Sequence, residues 1–311
     1  MTHGVGPRPG PSAPLSARTP RTIDQVRTYL DCYACFVRQA LSAARMAGAD
    51  DADQQAVMTE TLALLQTLSP GTSSPEIAHA VHRIVRERLG NSDPYLEAKA
   101  ESTRAASALY PRLKALVAAS ADPLATAVRV SIAGNIIDFG VCDDVPDLWE
   151  TVEQVMAAPL AIDHQEDLRS ALAVADHVLY LADNAGETVF DRVLVEQLEL
   201  PVVYAVKGGP VLNDATRQDA LAAGLGTCTI VVDNGSDAPG TILDLCSAEF
   251  RDAFAKAPLI IAKGQANYET LSEAGPRVFC LLQVKCQVIA DDAEAPVGSA
   301  VVRQSRRPSR H

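Results

Sequence analysis

Five short β-branched runs, the first four each trailed by a loop rich in Gly, Asp, Asn or Lys, constrain this fold more than any other feature. They occupy residues 177–181, 202–206, 229–232, 259–262 and 278–282, with amphipathic stretches such as 189–198 and 215–223 among them. Apolar runs alternating with helical segments at this spacing predict a parallel sheet, because a parallel neighbour is reached only through a crossover.

Upstream, from about residue 22 to 170, the periodicity is helical. In Ser74-Pro75-Glu76 a serine cap precedes a proline that starts a helix; Ile77, Val81, Ile84, Val85 and Leu89 recur at helical spacing, and Gly90 ends it. Asp93-Pro94 and Asp122-Pro123 open two more helices, the second running toward Gly134-Asn135. The expected fold class is therefore α/β: an N-terminal helical domain (22–170) packed on a Rossmann-like parallel-sheet α/β domain (171–296). Disordered tails are expected at 1–21 and, basic in character, at 297–311.

Charge limits the partners. The 311 residues carry a net −12, and setting aside the seven arginines of the two end segments leaves about −19 on the rest. Such a body repels nucleic acid, and one Trp offers little for stacking bases. No apolar run approaches the roughly 20 residues that span a bilayer. The first twenty residues hold no apolar signal core, and seven scattered cysteines suit a reducing compartment. A cytoplasmic protein acting on a small anionic metabolite is expected, with no nucleic-acid or membrane partner.

The loops at the ends of the strands carry the chemistry. They read Asp183-Asn184-Ala185-Gly186-Glu187, Lys207-Gly208-Gly209-Pro210 through Asn213-Asp214, Asp233-Asn234-Gly235-Ser236-Asp237 through Gly240-Thr241, and Lys263-Gly264-Gln265-Ala266-Asn267. In an open parallel sheet these share the carboxyl edge, where ligands bind. Each alone also reads as turn or helix-cap chemistry. Together, Asp183, Asn184 and Asp214 supply hard oxygen donors with no His or Cys beside them, which suits Mg²⁺ or Mn²⁺ more than Zn²⁺. Lysines and helix starts add charge for a phosphoryl group. Ser236, Asp237 and Thr241 are placed to meet substrate hydroxyls or to form turns.

These stretches resemble the damage-control phosphatase family, whose catalytic part is an acidic-residue-methyltransferase-like metal-binding domain. The resemblance also takes in Asp31-Cys32-Tyr33-Ala34-Cys35, Asp93-Pro94-Tyr95 with Lys99, Ala133-Gly134-Asn135-Ile136-Ile137-Asp138-Phe139, and Tyr268-Glu269. It runs in order across about residues 25–290, and the Cys-x-x-Cys is similar to that of a prokaryotic branch. It implies hydrolysis of sugar phosphates or damaged phosphometabolites with a divalent cation (Mg²⁺, Mn²⁺, Co²⁺ or Ni²⁺). By motif, Asp183, Asn184 and Asp214 are the implied metal ligands. Asp183, Lys263 (as a phosphate contact) and Asn135 are the implied catalytic group. Lys207, Gly208, Ser236, Asp237, Asn267, Asp138 and Glu187 are expected around the substrate.

Competing assignments fit less well. Cys32 to Arg38 has the Cys-x5-Arg spacing of tyrosine phosphatases but no glycine for the phosphate loop. Cys32 and Cys35 lack a second ligand pair for structural zinc, and His79 and His82 are expected on a solvated helix face. A carboxyl methyltransferase, an activity also attached to part of the family, would want a Gly-x-Gly loop after the first strand; Gly224-Leu225-Gly226 precedes its strand instead. A non-catalytic metal- or metabolite-binding module would use the same ligands.

Overall fold

The computed structural model describes residues 26, 28–69, 71–136 and 148–307. Six helices come first: α1 (Leu30–Met46), α2 (Asp51–Gln66), α3 (Ser74–Leu89), α4 (Leu96–Ala118), α5 (Pro123–Ile136) and α6 (Leu148–Ala157). Next come β1 (Ile162–Asp163), α7 (Gln165–Leu172), β2 (Val178–Leu181), α8 (Glu187–Val195), β3 (Val202–Val206), α9 (Arg217–Ala222) and β4 (Ile230–Asp233). The chain continues through α10 (Ala248–Lys256), β5 (Leu259–Lys263), α11 (Gly264–Leu271), β6 (Val278–Gln283), α12 (Gln287–Ala293) and β7 (Ala300–Gln304).

The seven strands form one sheet in the order β1-β7-β6-β5-β2-β3-β4, parallel throughout except for the β6–β7 pair. Apart from β1, the chain winds from β2 outward to β4, then crosses back to β5 beside β2 and winds outward to β7. The order reverses between β2 and β5, so the crevice for a ligand is expected at their carboxyl ends. Both faces are covered, which is why the central strands read as unbroken apolar runs. Val178, Tyr180, Val202 and Tyr204 join one core with α4, α5, α6 and α8, while Leu179, Leu181, Ile260 and Ala262 join another with α10, α11 and α12.

Two domain boundaries differ from expectation. Packing does not divide at residue 170: Ala106, Leu113, Val130, Ile132 and Val152 share their core with the sheet, whereas α1–α3 hold a separate small core around Phe36, Val57, Ile77 and Val81. The segment expected as a basic tail from 297 instead supplies β7, whose Val301 and Val302 are completely buried. Arg303 is buried as well, its guanidinium 5.7 Å from the Tyr268 ring centre and bonded to the Ala293 carbonyl. The expected tail at 1–21 lies outside the described residues.

Helix α3 starts one residue earlier than expected: Ser73 is the cap, closing a box with Glu76, and Gly90 ends the helix at φ 63°. His82 is buried, not solvated, and burial, then the charges of Arg86 and His79, lowers its pKa to about 3. No described helix is long and apolar enough to cross a membrane.

Where α11 meets the N-terminal helices, Glu269 is buried, its carboxylate bonded to Gln265 and its carbonyl accepting the Val26 N–H. Burial raises its pKa from 4.5 to about 7, although hydrogen bonds from Gln265 and Ser74 oppose the shift. The fold therefore holds a proton that the unfolded chain has lost, and this costs stability as pH rises from about 4.5 through 7. Glu269→Gln should melt above the wild type at about pH 8, and the gap should close toward pH 5. An unchanged midpoint at the higher pH would contradict this.

Candidate active site

The loops after β2 and β3 are joined by a short antiparallel bridge that sets Asn184 opposite Asp214. The Ala215 N–H donates to the Asp183 carbonyl at 2.7 Å, and the Ala185 N–H donates to the Asn213 carbonyl at 2.9 Å. This register brings together the three residues expected to bind metal. Asp183, Asn184 and Asp214 are all buried at the reversal point of the sheet.

Asn135 reaches the same point from α5. Gly134 makes this approach feasible, since a Cβ there would lie 2.7 Å from the Phe190 Cβ on α8. Asn135 Nδ2 donates to Asp183 Oδ2 at 2.8 Å and to Glu187 Oε2 at 3.0 Å, and its Oδ1 accepts the Gln283 N–H at 3.2 Å. Asn184 Nδ2 repeats the pattern, donating to Asp183 Oδ2 at 3.0 Å and Glu187 Oε2 at 2.9 Å. Burial, then the Glu187 and Asp214 carboxylates, push the Asp183 carboxyl well above the usual range, while Lys285 and Lys207 pull it back.

Lys263 departs from its expected role as a phosphate contact. It is completely buried, and its Nζ donates to Glu187 Oε1 at 2.5 Å, Asp191 Oδ1 at 2.8 Å and the Ser131 carbonyl at 2.9 Å. An ammonium group has three protons, and all three are engaged. Asn267 is likewise built into the scaffold. Its Nδ2 donates to the carbonyls of Ala182 and Lys263, and its Oδ1 accepts from Thr241.

The remaining expected substrate contacts are dispersed. Lys207 Nζ is bonded to the Gly240 carbonyl and lies 3.5 Å from Asp214 Oδ2. The Gly208 N–H donates to the Ser236 carbonyl, and Ser236 Oγ accepts the Ala238 N–H, so both shape the loops. Asp237 faces α3, where it pairs with Arg86 and with His79 Nε2 at 2.9 Å. Asp138 lies outside the described residues. Beside Lys207 and Gly208, a cleft of about 260 Å³ is bounded by Asp93, Lys99, Arg217 and Asp233.

Two contributors were not expected from the sequence. Lys285, exposed in the loop after β6, is near enough to act on Asp183. Its strand is recognisable in the sequence, so the adjoining loop carried a usable signal. Asp191 is four residues beyond Glu187 on α8, an acid on a buried helix face among Val189, Phe190 and Val193.

Among the described residues no group of three or more His, Cys, Asp or Glu is spaced to hold a metal ion. The expected set instead combines two carboxylates with a carboxamide, and it suits a hard cation in two respects. Its donors are all oxygen. Acids also outnumber lysines in the buried cluster: among the described residues Asp183, Glu187, Asp191 and Asp214 against Lys207 and Lys263 give a formal charge of minus two. The loop does not suit a dinucleotide or methyl donor. The room that a Cβ on Gly186 would need, which such folds give to the ligand, is filled by Ser102 Oγ.

Gly264 makes a very tight contact with Asp183 itself. Its φ is +79°, and a Cβ there would collide with Asp183 Oδ2. Gly275 has a φ of +96° with open space around it, so it isolates the backbone cost. The backbone strain of about 1–3 kcal/mol is common to both, so the clash with Asp183 should make Gly264→Ala lower the melting midpoint by several degrees more than Gly275→Ala. Equal losses in the two would show that the Asp183 contact carries no cost.

A family model described as the damage-control phosphatase ARMT1-like domain matches residues 28–301. A damage-control phosphatase of Pyrococcus horikoshii is 34% identical over 287 residues, covering 90% of this chain and 99% of the relative. Another, of Archaeoglobus fulgidus, is 33% identical over 281 residues, covering 88% and 97%. A crystal structure of a DUF89 family protein from Pyrococcus horikoshii superposes with a TM-score of 0.83 at 33% identity, covering 90% of this chain and 99% of that one. On this similarity along nearly its whole length, the chain belongs to the damage-control phosphatase ARMT1-like family.

Proposed function

We propose that the chain is a metal-dependent phosphatase of small phosphorylated metabolites, its reaction centred on the loops after β2 and β3. The observation that carries this reading is the buried cluster at the sheet's reversal point, where oxygen donors converge and acids outnumber lysines by two among the described residues. Asp183, Asn184 and Asp214 would hold a divalent cation, with Mg²⁺, Mn²⁺, Co²⁺ and Ni²⁺ the candidates on donor chemistry. When bound, such a cation supplies charge stabilisation to phosphoryl oxygens and acidifies water.

The chain's own groups do the rest. Asn135 and Asn184 both donate to Oδ2 of Asp183, which leaves Oδ1 as the oxygen that would meet the cation. Lys285, exposed in the loop after β6 and near enough to lower the Asp183 pKa, would help offset negative charge that builds at the site. Lys207 holds Asp214 from behind. The neighbouring cleft of about 260 Å³ is of a size to admit the organic part of a small phosphate ester, with Arg217 and Asp233 at its walls. The six cysteines among the described residues are free thiols, which supports a reducing, cytoplasmic setting.

Phosphate release should be measured from sugar phosphates and p-nitrophenyl phosphate, first with EDTA and then with each divalent metal restored. Turnover should return with metal, and fall at least about 100-fold in Asp183→Ala and Asp214→Ala while both variants keep their melting transition. Full activity in either variant would defeat the assignment. Turnover by no metal, from folded protein that still binds the ion, would favour a binding module.

A further inference from the structure

The inner part of the buried charged cluster, beneath Asp183, has so far been given no role beyond its charge. Asp191 is completely buried on α8, one turn beyond Glu187, so the two acids share a helix face. Its Oδ1 accepts from Lys263 Nζ at 2.8 Å and from the Tyr180 hydroxyl at 2.7 Å. Its Oδ2 accepts from the Tyr204 hydroxyl at 2.7 Å. Tyr180 and Tyr204 are register partners on β2 and β3, stacked with ring centres 5.1 Å apart. Three donors from three strands therefore fix the plane of this carboxylate.

The arrangement passes upward through Lys263. With one proton on Asp191 and one on the Ser131 carbonyl, the lysine presents its third to Glu187 Oε1. The other oxygen of Glu187 then accepts from both Asn135 and Asn184, whose amide groups also reach Asp183. A carboxamide is nearly symmetric in shape, so the acceptor beside it decides which end points where. With Glu187 in place, Asn184 turns its N–H₂ to the carboxylates and keeps its carbonyl oxygen for a cation. With Glu187 displaced, a flipped amide would aim its N–H₂ at that cation.

We propose that Asp191 is a positioning residue for the metal site: it holds Lys263, which holds Glu187, which together with Asp183 sets the orientation of the Asn184 carboxamide. This rests on the reading that Asp183, Asn184 and Asp214 hold the cation. It also gives Lys263 the work of an internal counter-ion. Partners bonded directly to a metal ligand, as Glu187 is to Asn184, contribute about 10- to 100-fold to metal affinity, and Asp191 acts two hydrogen bonds further out.

Calorimetric titration of the full chain with Mn²⁺ alone, without substrate, tests the proposal. Asp191→Asn should bind Mn²⁺ more weakly by up to about 10-fold, the lower end of the range for direct partners of a ligand, and Tyr204→Phe, which removes one donor and keeps the charge, more weakly by a smaller factor. The decisive comparison is with Glu187→Gln. If Asp191 acts through Glu187, adding Asp191→Asn to that variant weakens binding little further; a merely structural role would make the two losses multiply. Wild-type affinity in folded Asp191→Asn, or multiplied losses, would overturn the proposal. Should Asp191→Asn fail to fold, Tyr204→Phe in the same two backgrounds makes the same test. Wild-type protein that binds Mn²⁺ but releases no phosphate from any ester would sink the phosphatase reading and leave this one standing. Wild-type protein that binds no divalent metal would overturn both.

Discussion

Charge taken out of water has to be answered locally, and the interior of this protein is organised around one such answer. Lys263, Glu187 and Asp191 have no solvent contact to speak of, and each depends on the others for its hydrogen bonds. Leaving a buried ion without its partner costs about 3–5 kcal/mol, a large share of the stability of any domain. The elements that carry these groups are therefore held to one arrangement: β5 brings the lysine, α8 the two acids, and α5 the Ser131 carbonyl. The ligand loops rest on this foundation and inherit its geometry.

Close packing of backbone does the remaining positioning. Gly134 lets α5 lie against Phe190, Gly186 lets the loop after β2 lie against Ser102 on α4, and Gly264 lets the start of α11 lie against Asp183. In each case a side chain on the glycine would occupy the space of a neighbour. The helices that precede the sheet are thus part of the site's wall, since α4 and α5 reach the reversal point directly. Only α1–α3 keep a core of their own, linked to the loops after β3 and β4 by Arg86, which bonds the Pro210 carbonyl and Asp237.

Much of this could be read from the residues, for identifiable reasons. Buried parallel strands are apolar on both faces, so 202–206 and 259–262 stood out, and the rule that ligand loops share one edge grouped Asp183, Asn184 and Asp214. What could not be read was direction. A lysine after a strand looks the same whether it points outward to a ligand, as expected of Lys263, or inward to two acids, as found. The same ambiguity hid Asn267 and Ser236, whose polar atoms serve the loops. Strand β7 was missed because arginines succeed it, and Arg303 looks solvated until its stem is seen over the Tyr268 ring. Strand β1, at two residues, carries no periodicity to detect.

The position of β7 in the sheet bears on how the molecule is made. It lies between β6 and β1, with Ile162 aligned to Val301 across some 140 residues of chain. While the polypeptide emerges from the ribosome, β1 has no strand to join and β6 shows a bare row of amide and carbonyl groups until residues 300–304 arrive. Open apolar edges of that kind attract other chains. Synthesis that stalls or stops short of that point would leave a nearly complete sheet with an adhesive margin, so this protein is expected to need protection from aggregation until residues 300–304 are in place, when most of its core already exists.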